Sequence, residues 1–169
     1  MNIFVLDHNP VRAAELHVDK HVVKMILETA QLLSSAHHRW NSPLAESLYK
    51  VTHKNHPSTK WVGDHPEHYA WAYQLYCALL DEYTYRYGKV HSTARLRDLL
   101  AVTPSIVGGG AAVPPPQCMP DDCRVPGNSW DVTIAAYQQY YREYKRGFAS
   151  WKKRDVPTFM QSVCAQTAI

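Results

Sequence analysis

Residues 9–38 read NPVRAAELHVDKHVVKMILETAQLLSSAHH and predict the longest helix of the chain. Asn9 suits the N-cap position, where its side chain accepts a hydrogen bond from a free backbone N–H, and Pro10 suits the first helical turn. Apolar residues then recur at helical spacing as far as about His38. One continuous helix of roughly eight turns is therefore expected here.

Three shorter helices are expected further along the chain. One lies near 65–87, between a proline-containing capping box and Gly88, a natural C-terminal stop. Ser92 or Thr93 caps a short helix that ends near Ala101. The last helix runs from the Asn128-Ser129 cap through Trp151, and its aromatic residues keep the spacing of a core stripe.

Proline, glycine and polar residues mark the remaining segments as irregular. Residues 40–63 are predicted to be a loop around at most a short helix, and 103–129 a long Pro/Gly-rich loop. We therefore expect a mainly α, single-domain helical bundle over 1–157, followed by a flexible tail at 158–169. The alternative is an α+β fold, in which Ile3–Leu6 forms a minor N-terminal strand.

The composition fits a folded domain that is not embedded in a membrane. The chain has 169 residues, of which 46% are hydrophobic and 20% charged, and this length suits one domain. No apolar run reaches the roughly 18 residues that a membrane-spanning helix needs. The four cysteines show no metal-site spacing, and the N-terminus lacks the features of a signal peptide. We therefore expect a cytoplasmic protein with reduced thiols and no membrane partner; its oligomeric state is not predicted.

One face of the first helix carries a continuous polar stripe. On a helical wheel, seven residues fall within about 100° of one another: His17, Lys20, His21, Lys24, Glu28, Gln31 and Ser35. Apolar residues flank this polar stripe on both sides, whereas a solvated face normally grades into polar neighbours. The pattern indicates either a cleft lined by the stripe or a structural network of ion pairs.

The residue types of the polar stripe suit an anionic ligand. Histidine and glutamate can act as general acid and base, and lysine can hold phosphate. We predict His17, His21, Lys24 and Glu28 as catalytic residues. The expected ligand-binding residues are Lys20, Gln31, His56, Glu82, Arg86, Lys89 and His91.

A metal site is a weaker alternative. His17 and His21 stand at the i,i+4 spacing of a metal-binding pair, but zinc needs a third protein ligand, and the neighbouring lysines would repel a cation. No cofactor is predicted.

The positive charge is concentrated near the C-terminus. Between residues 142 and 154, six basic residues face Glu143 alone, whereas the whole chain carries a net charge of +3. These six are candidate nucleic-acid-binding residues: Arg142, Lys145, Arg146, Lys152, Lys153 and Arg154. An ordinary solvated helix end is the competing interpretation.

Several motifs together resemble a small protein family common in tailed bacteriophages. They are Met1-Asn-Ile-Phe-Val-Leu-Asp7, His17-Val-Asp-Lys-His-Val-Val-Lys-Met25, Glu28 with Gln31, Asn55-His56-Pro57, Glu82-Tyr-Thr-Tyr-Arg-Tyr-Gly-Lys89 with His91, Gln117-Cys-Met-Pro-Asp121 and the segment from Trp151 to Pro157. The resemblance covers almost the whole chain and implies a setting among phage genes of DNA metabolism, in an infected bacterial cell. One departure is the absence of an aromatic residue before the Pro116-Gln117 pair.

That family has a loose association with pyrimidine dimer glycosylases, from which no catalytic residue is carried over. Glycosylases that attack with the N-terminal amine need a small first residue, whereas Met1 before the bulky Asn2 is expected to be retained. Lys24 is the alternative amine for a Schiff base, although Glu28 one turn on favours its charged form.

The leading hypothesis is an enzyme that acts on a nucleotide or on DNA bases, through a Lys/His/Glu site for a phosphate-bearing ligand. Two alternatives remain: a non-enzymatic phage protein that binds DNA or a host protein, and a histidine-ligated metal hydrolase.

Overall fold

The computed structural model describes residues 1–161 and shows a single, mainly α domain. No β-strand occurs in this range, so the α+β alternative is not supported. The α-helices of residues 1–161 are α1 (Pro10–Leu16), α2 (Asp19–Arg39), α3 (Pro57–Asp64), α4 (Pro66–Tyr87), α5 (Arg97–Leu100), α6 (Trp130–Tyr140) and α7 (Thr158–Gln161).

The predicted single helix over 9–38 is in fact two helices. Asn9 caps α1 as expected, but the backbone turns extended at His17 and Val18 before α2 begins. The break exposes carbonyl groups that the fully buried Arg86 side chain satisfies by donating to the oxygens of Glu15 and His17, each at 2.9 Å. A distant residue therefore compensates for the lost helical hydrogen bonds.

Helix α4 forms as predicted and lies against α1 and α2. Gly88 ends it in the left-handed region, with φ at 65°, which glycine adopts without strain. Near its N-terminal end, the Tyr69 hydroxyl contacts His37 of α2, and near its C-terminal end Arg86 binds Asp19. The two long helices are therefore antiparallel.

Histidine side chains cap two helical segments whose starting positions differ from the sequence-based prediction. Helix α3 occupies part of the predicted 40–63 loop, and the His56 ring accepts a hydrogen bond from the Ser58 N–H at its start. His91, rather than Ser92 or Thr93, caps the short 3₁₀ turn that leads into α5.

The last predicted helix ends earlier than Trp151. After α6 the chain widens into a π-helical turn at Tyr141–Lys145 and then tightens into a 3₁₀ turn at Arg146–Phe148. The change in residues per helical turn shifts the later aromatic residues out of line with the earlier ones. Tyr137 and Tyr141 are completely buried, but Tyr144 is 47% exposed.

Both ends of the described chain pack against the helices. Ile3–Leu6 is a buried extended segment, and the Phe4 ring stacks on His21 with ring centroids 4.2 Å apart. At the other end, α7 occupies the first part of the expected flexible tail, and its Phe159 lies near Tyr141. The rest of that predicted tail, residues 162–169, lies outside the described residues.

The predicted long loop is confirmed, with a single 3₁₀ turn at Asp121–Cys123. Within residues 1–161, no helix combines the length and apolar character needed to cross a bilayer.

Candidate active site

The α-amino group of Met1 lies beside the carboxylate of Glu28. The Met1 nitrogen is 3.5 Å from Glu28 Oε2, and the backbone N–H of Asn2 donates to the same oxygen at 3.1 Å. Lys24 Nζ, one turn earlier on α2, lies 3.3 Å from Glu28 Oε1. The Glu28 side chain is only 12% exposed, so three nitrogen atoms surround a largely buried carboxylate.

Hydrogen bonds to Asn2 fix the position of the first residues. The Asn2 side chain donates to the Cys118 carbonyl at 2.8 Å and accepts from the Tyr137 hydroxyl at 3.0 Å. The long loop and α6 therefore hold the N-terminal segment against α2. The amine is placed by packing from three parts of the chain.

His56 lies close enough to the amine to respond to its charge. Burial lowers the pKa of His56, and the positive N-terminus lowers it further. The ring also lines an open cavity of about 550 Å³ whose wall includes Cys118, the residue that binds Asn2. His56 and the residue that anchors Asn2 therefore line a cavity of ligand size, whereas Met1 and Glu28 are not among its lining residues.

A basic and aromatic surface lies on the side of α2 that carries Glu28. Lys20 Nζ is 4.9 Å from the centre of the Phe148 ring, and Lys145 Nζ is 4.5 Å from that of Tyr140. Burial lowers the pKa of His21 most, and the charges of His17, Lys145 and Lys24 lower it further, so both lysines act on the same side chain. We call Lys20, Lys24 and Lys145 the lysine face.

His17 and His21 are buried, unlike catalytic residues that must reach a ligand. His17 Nδ1 bonds to the Ala13 carbonyl, and His21 Nδ1 bonds to the Tyr141 hydroxyl. Burial lowers the pKa of His17 to about 4 and that of His21 to about 3, so both rings are neutral near pH 7. Both residues were predicted to be catalytic, and the structure places them in the core with one ring nitrogen each in an internal hydrogen bond.

The polar stripe does not line a closed cleft. One of the two apolar flanks of the stripe is buried, but on the other flank Val23 and Leu27 are each 40% exposed. Lys20 and Lys24 consequently face solvent, while Gln31 is half-buried one turn beyond Glu28. The amino acid pattern resembled a cleft because exposed valine and leucine residues cannot be distinguished from packed ones by sequence.

Glu82 and Arg86 are bound to other charged groups rather than to the amine–carboxylate pair. Arg86 is 1% exposed and donates to Glu82 Oε1 at 2.7 Å and to Asp19 Oδ1 at 2.9 Å. Arg154 binds the same Glu82 carboxylate from the other side. These groups neutralise one another inside the protein, so Glu82 and Arg86 already have charged partners where they were predicted to bind ligand.

Lys89 and His91 are likewise not brought to Glu28 by any contact in residues 1–161. Lys89 is exposed beyond the end of α4, and the His91 ring contacts Thr93 and Tyr83. Of the predicted ligand-binding residues outside the first long helix, His56 is the one whose pKa responds to the charge of the N-terminal amine, after the larger effect of burial.

The six predicted nucleic-acid-binding residues do not form one patch. Lys145 joins the lysine face, and Arg142 donates to Gln139 and to the Phe159 carbonyl. Lys152, Lys153 and Arg154 instead lie over aromatic rings near the end of α4. Arg146 is exposed.

The part of the chain that the structure describes contains no group of three His, Cys, Asp or Glu residues placed to hold a metal ion. The rings of His17 and His21 are 6.5 Å apart, and each uses one nitrogen in an internal hydrogen bond. The metal-hydrolase alternative therefore gains no support from the site.

The amino terminus, Asn2, Cys118 and Tyr137 belong to this site but were not predicted from the sequence. Met1 and Asn2 are part of the N-terminal motif, but nothing in their residue types indicates a contact with Glu28. That contact depends on the path of the extended segment across α2.

The protein is a small helical domain in which an amine and a carboxylate lie in contact beside a basic surface. This combination suits nucleic-acid chemistry. The sequence profile of the pyrimidine dimer DNA glycosylase family matches residues 1–96, more than half of the chain, and the chain belongs to this family. The family is one of enzymes that act on DNA bases. Neither curated proteins nor solved structures gave a match.

Proposed function

We propose that the protein is a glycosylase that removes bases from pyrimidine dimers in DNA, with the Met1 amine as nucleophile and Glu28 as its acid–base partner. The observation that carries this proposal is the 3.5 Å contact between the Met1 nitrogen and Glu28 Oε2. The family match over residues 1–96 supports the substrate class.

The contact suits covalent excision of a base. The amine lone pair forms a bond to sugar C1′ while the bond from C1′ to the base breaks, and the base leaves with that electron pair and a proton. The bond from C1′ to the ring oxygen then opens as the amine nitrogen forms a C=N bond, and the ring oxygen takes up a proton. Glu28 is placed to accept and return these protons.

The Met1 amine is better placed than Lys24 to act as the nucleophile. The Met1 side chain is only 3% exposed, whereas the Lys24 side chain is 68% exposed, so water solvates its charge. This proposal departs from the expectation that a small first residue is needed, because the attacking group is an α-amino group and that of Met1 faces Glu28.

The lysine face supports a DNA substrate over a free nucleotide. Lys24 contacts Glu28 directly, and Lys20 lies one turn before Lys24 on the same face of α2, so a DNA backbone that reaches Glu28 would meet several ammonium groups. The bacteriophage setting and the cytoplasmic location stay predictions.

The proposal is tested with duplex DNA that carries a single thymine dimer. Glu28→Gln is expected to lower kcat/KM for base release at least 100-fold, because it removes the proton acceptor but keeps the side-chain shape. Glu46→Gln, at an exposed carboxylate on the surface, is the matched control and should stay within about twofold of wild type. Thermal unfolding of each variant separates lost chemistry from lost folding. A folded Glu28→Gln protein with wild-type excision would contradict the proposal.

A further inference from the structure

A second cavity, of about 390 Å³, lies between the C-terminal half of α2 and the chain around α3. This volume falls within the range of small-ligand sites. Basic and hydroxyl side chains form much of its wall: Ser35, His38, Arg39, Lys54, Thr59 and Lys60. No carboxylate is among the residues that line it, so the cavity is suited to an anion.

The lysines of this cavity are available to a ligand, whereas its other basic groups are held in place. Arg39 pairs with Asp64 at 2.8 Å, and His38 Nε2 bonds to the Tyr49 carbonyl. Lys54 and Lys60 are exposed, and no ion pair within residues 1–161 includes either of them. Two unpaired ammonium groups at a concave site attract a phosphate group.

The cavity and the amine–carboxylate pair lie along one face of α2. Ser35 and Glu28 belong to the same polar stripe and are separated by seven residues, or about 10 Å along a helix. Base pairs in a duplex are about 3.4 Å apart, so a duplex that lay along α2 would pass roughly three base-pair steps over this length. The chain also connects the two places directly, because Asn55 lines the cavity and His56 lies near the amine.

We propose that this cavity binds a phosphate-bearing nucleotide unit of the substrate DNA, about three steps from the nucleotide that reacts. The proposal rests on the proposed function for its choice of DNA over a free nucleotide. Lys54 and Lys60 would contact the phosphate, and binding there would set the register of the DNA relative to Glu28.

Single Lys54→Gln and Lys60→Gln variants test the proposal against Lys50→Gln. Lys50 is exposed in the same stretch of chain but does not line the cavity, so the control removes an equal charge. Binding of dimer-containing duplex is measured by fluorescence anisotropy over a range of salt concentrations. Each cavity variant should weaken binding severalfold and lower the slope of log K against log salt by about one, because one phosphate contact is lost. KM for excision should rise while kcat stays within twofold.

Two results would overturn the proposal. Equal effects of Lys50→Gln and the cavity variants would show that only overall charge matters. Cavity variants that lose binding of thymidine 5′-monophosphate but keep wild-type DNA binding would show that the cavity takes a free nucleotide. Loss of the proposed function would instead appear as wild-type protein that binds the duplex but releases no base, and the binding comparison would still decide the role of the cavity.

Discussion

Glu28 shows how far a single residue can be interpreted from sequence. Its pairing with Lys24 follows from i,i+4 spacing, and the predicted contact is present at 3.3 Å. Its contacts with Met1 and Asn2 join residues more than 25 positions apart. No helical periodicity encodes such contacts, so Glu28 could be selected as a candidate while its most important partner could not.

The buried histidines make stability depend on pH. Burial holds the pKa values of His17 and His21 well below the ordinary 6.5. Below about pH 6.5, these histidines are therefore protonated in the unfolded chain while they stay neutral in the folded protein. The stabilisation is therefore complete above about pH 6.5 and falls as the pH drops toward 4. For His17, the free energy of unfolding should fall by about 2 kcal/mol between pH 6.5 and 5.

Urea unfolding at several pH values measures this dependence. His21→Gln should flatten the slope of unfolding free energy against pH, whatever its effect on stability at pH 7. His53→Asn is the control, because His53 is exposed and asparagine tolerates its φ of 49°. Parallel curves for wild type and His21→Gln would show that the His21 ring does not resist protonation.

At the scale of elements, helix ends were more predictable than helix continuity. The caps at Asn9, Gly88 and Ser129 are local chemistry, and all three form as expected. The break after Leu16 depends on Arg86, about 70 residues later in the chain. Local helix propensity also does not predict the π-helical turn at Tyr141–Lys145. This turn shifts the predicted aromatic stripe out of line.

The Arg86 network is expected to carry much of the stability of the α1–α2–α4 junction. Arg86→Met should lower the free energy of unfolding by about 3 to 5 kcal/mol, because it leaves Glu82, Asp19 and two carbonyl groups with fewer partners. Urea denaturation at pH 7 provides the measurement.

Arg97→Met is the matched control for that experiment. Arg97 pairs with Asp81, but both side chains are substantially exposed, at 42% and 66%. Loss of this surface pair should cost about 1 kcal/mol or less. Equal losses for the two variants would mean that the buried network contributes no more than an ordinary surface ion pair.

At the scale of the whole molecule, the site forms because the chain returns to its own beginning. Residues 1 and 2 meet α2, the long loop and α6, and the residues that bind Asn2 lie 26, 116 and 135 positions further along the chain. Composition and periodicity correctly predicted a mainly α domain, since helical patterns are local. They could not predict a site assembled from distant segments. The four predicted catalytic residues all came from one predicted helix, and of these Glu28, paired with Lys24, contacts the amino terminus.

Covalent trapping tests the role of the amino terminus most directly. Sodium borohydride reduces a C=N bond to a stable amine, so protein that reacts with dimer-containing duplex in its presence should become cross-linked to DNA. Proteolysis and mass spectrometry of the cross-linked protein should place the DNA on the Met1 nitrogen, and Glu28→Gln should abolish the cross-link. A cross-link on Lys24, or base release with no trapped species, would contradict a mechanism in which the Met1 amine attacks the sugar.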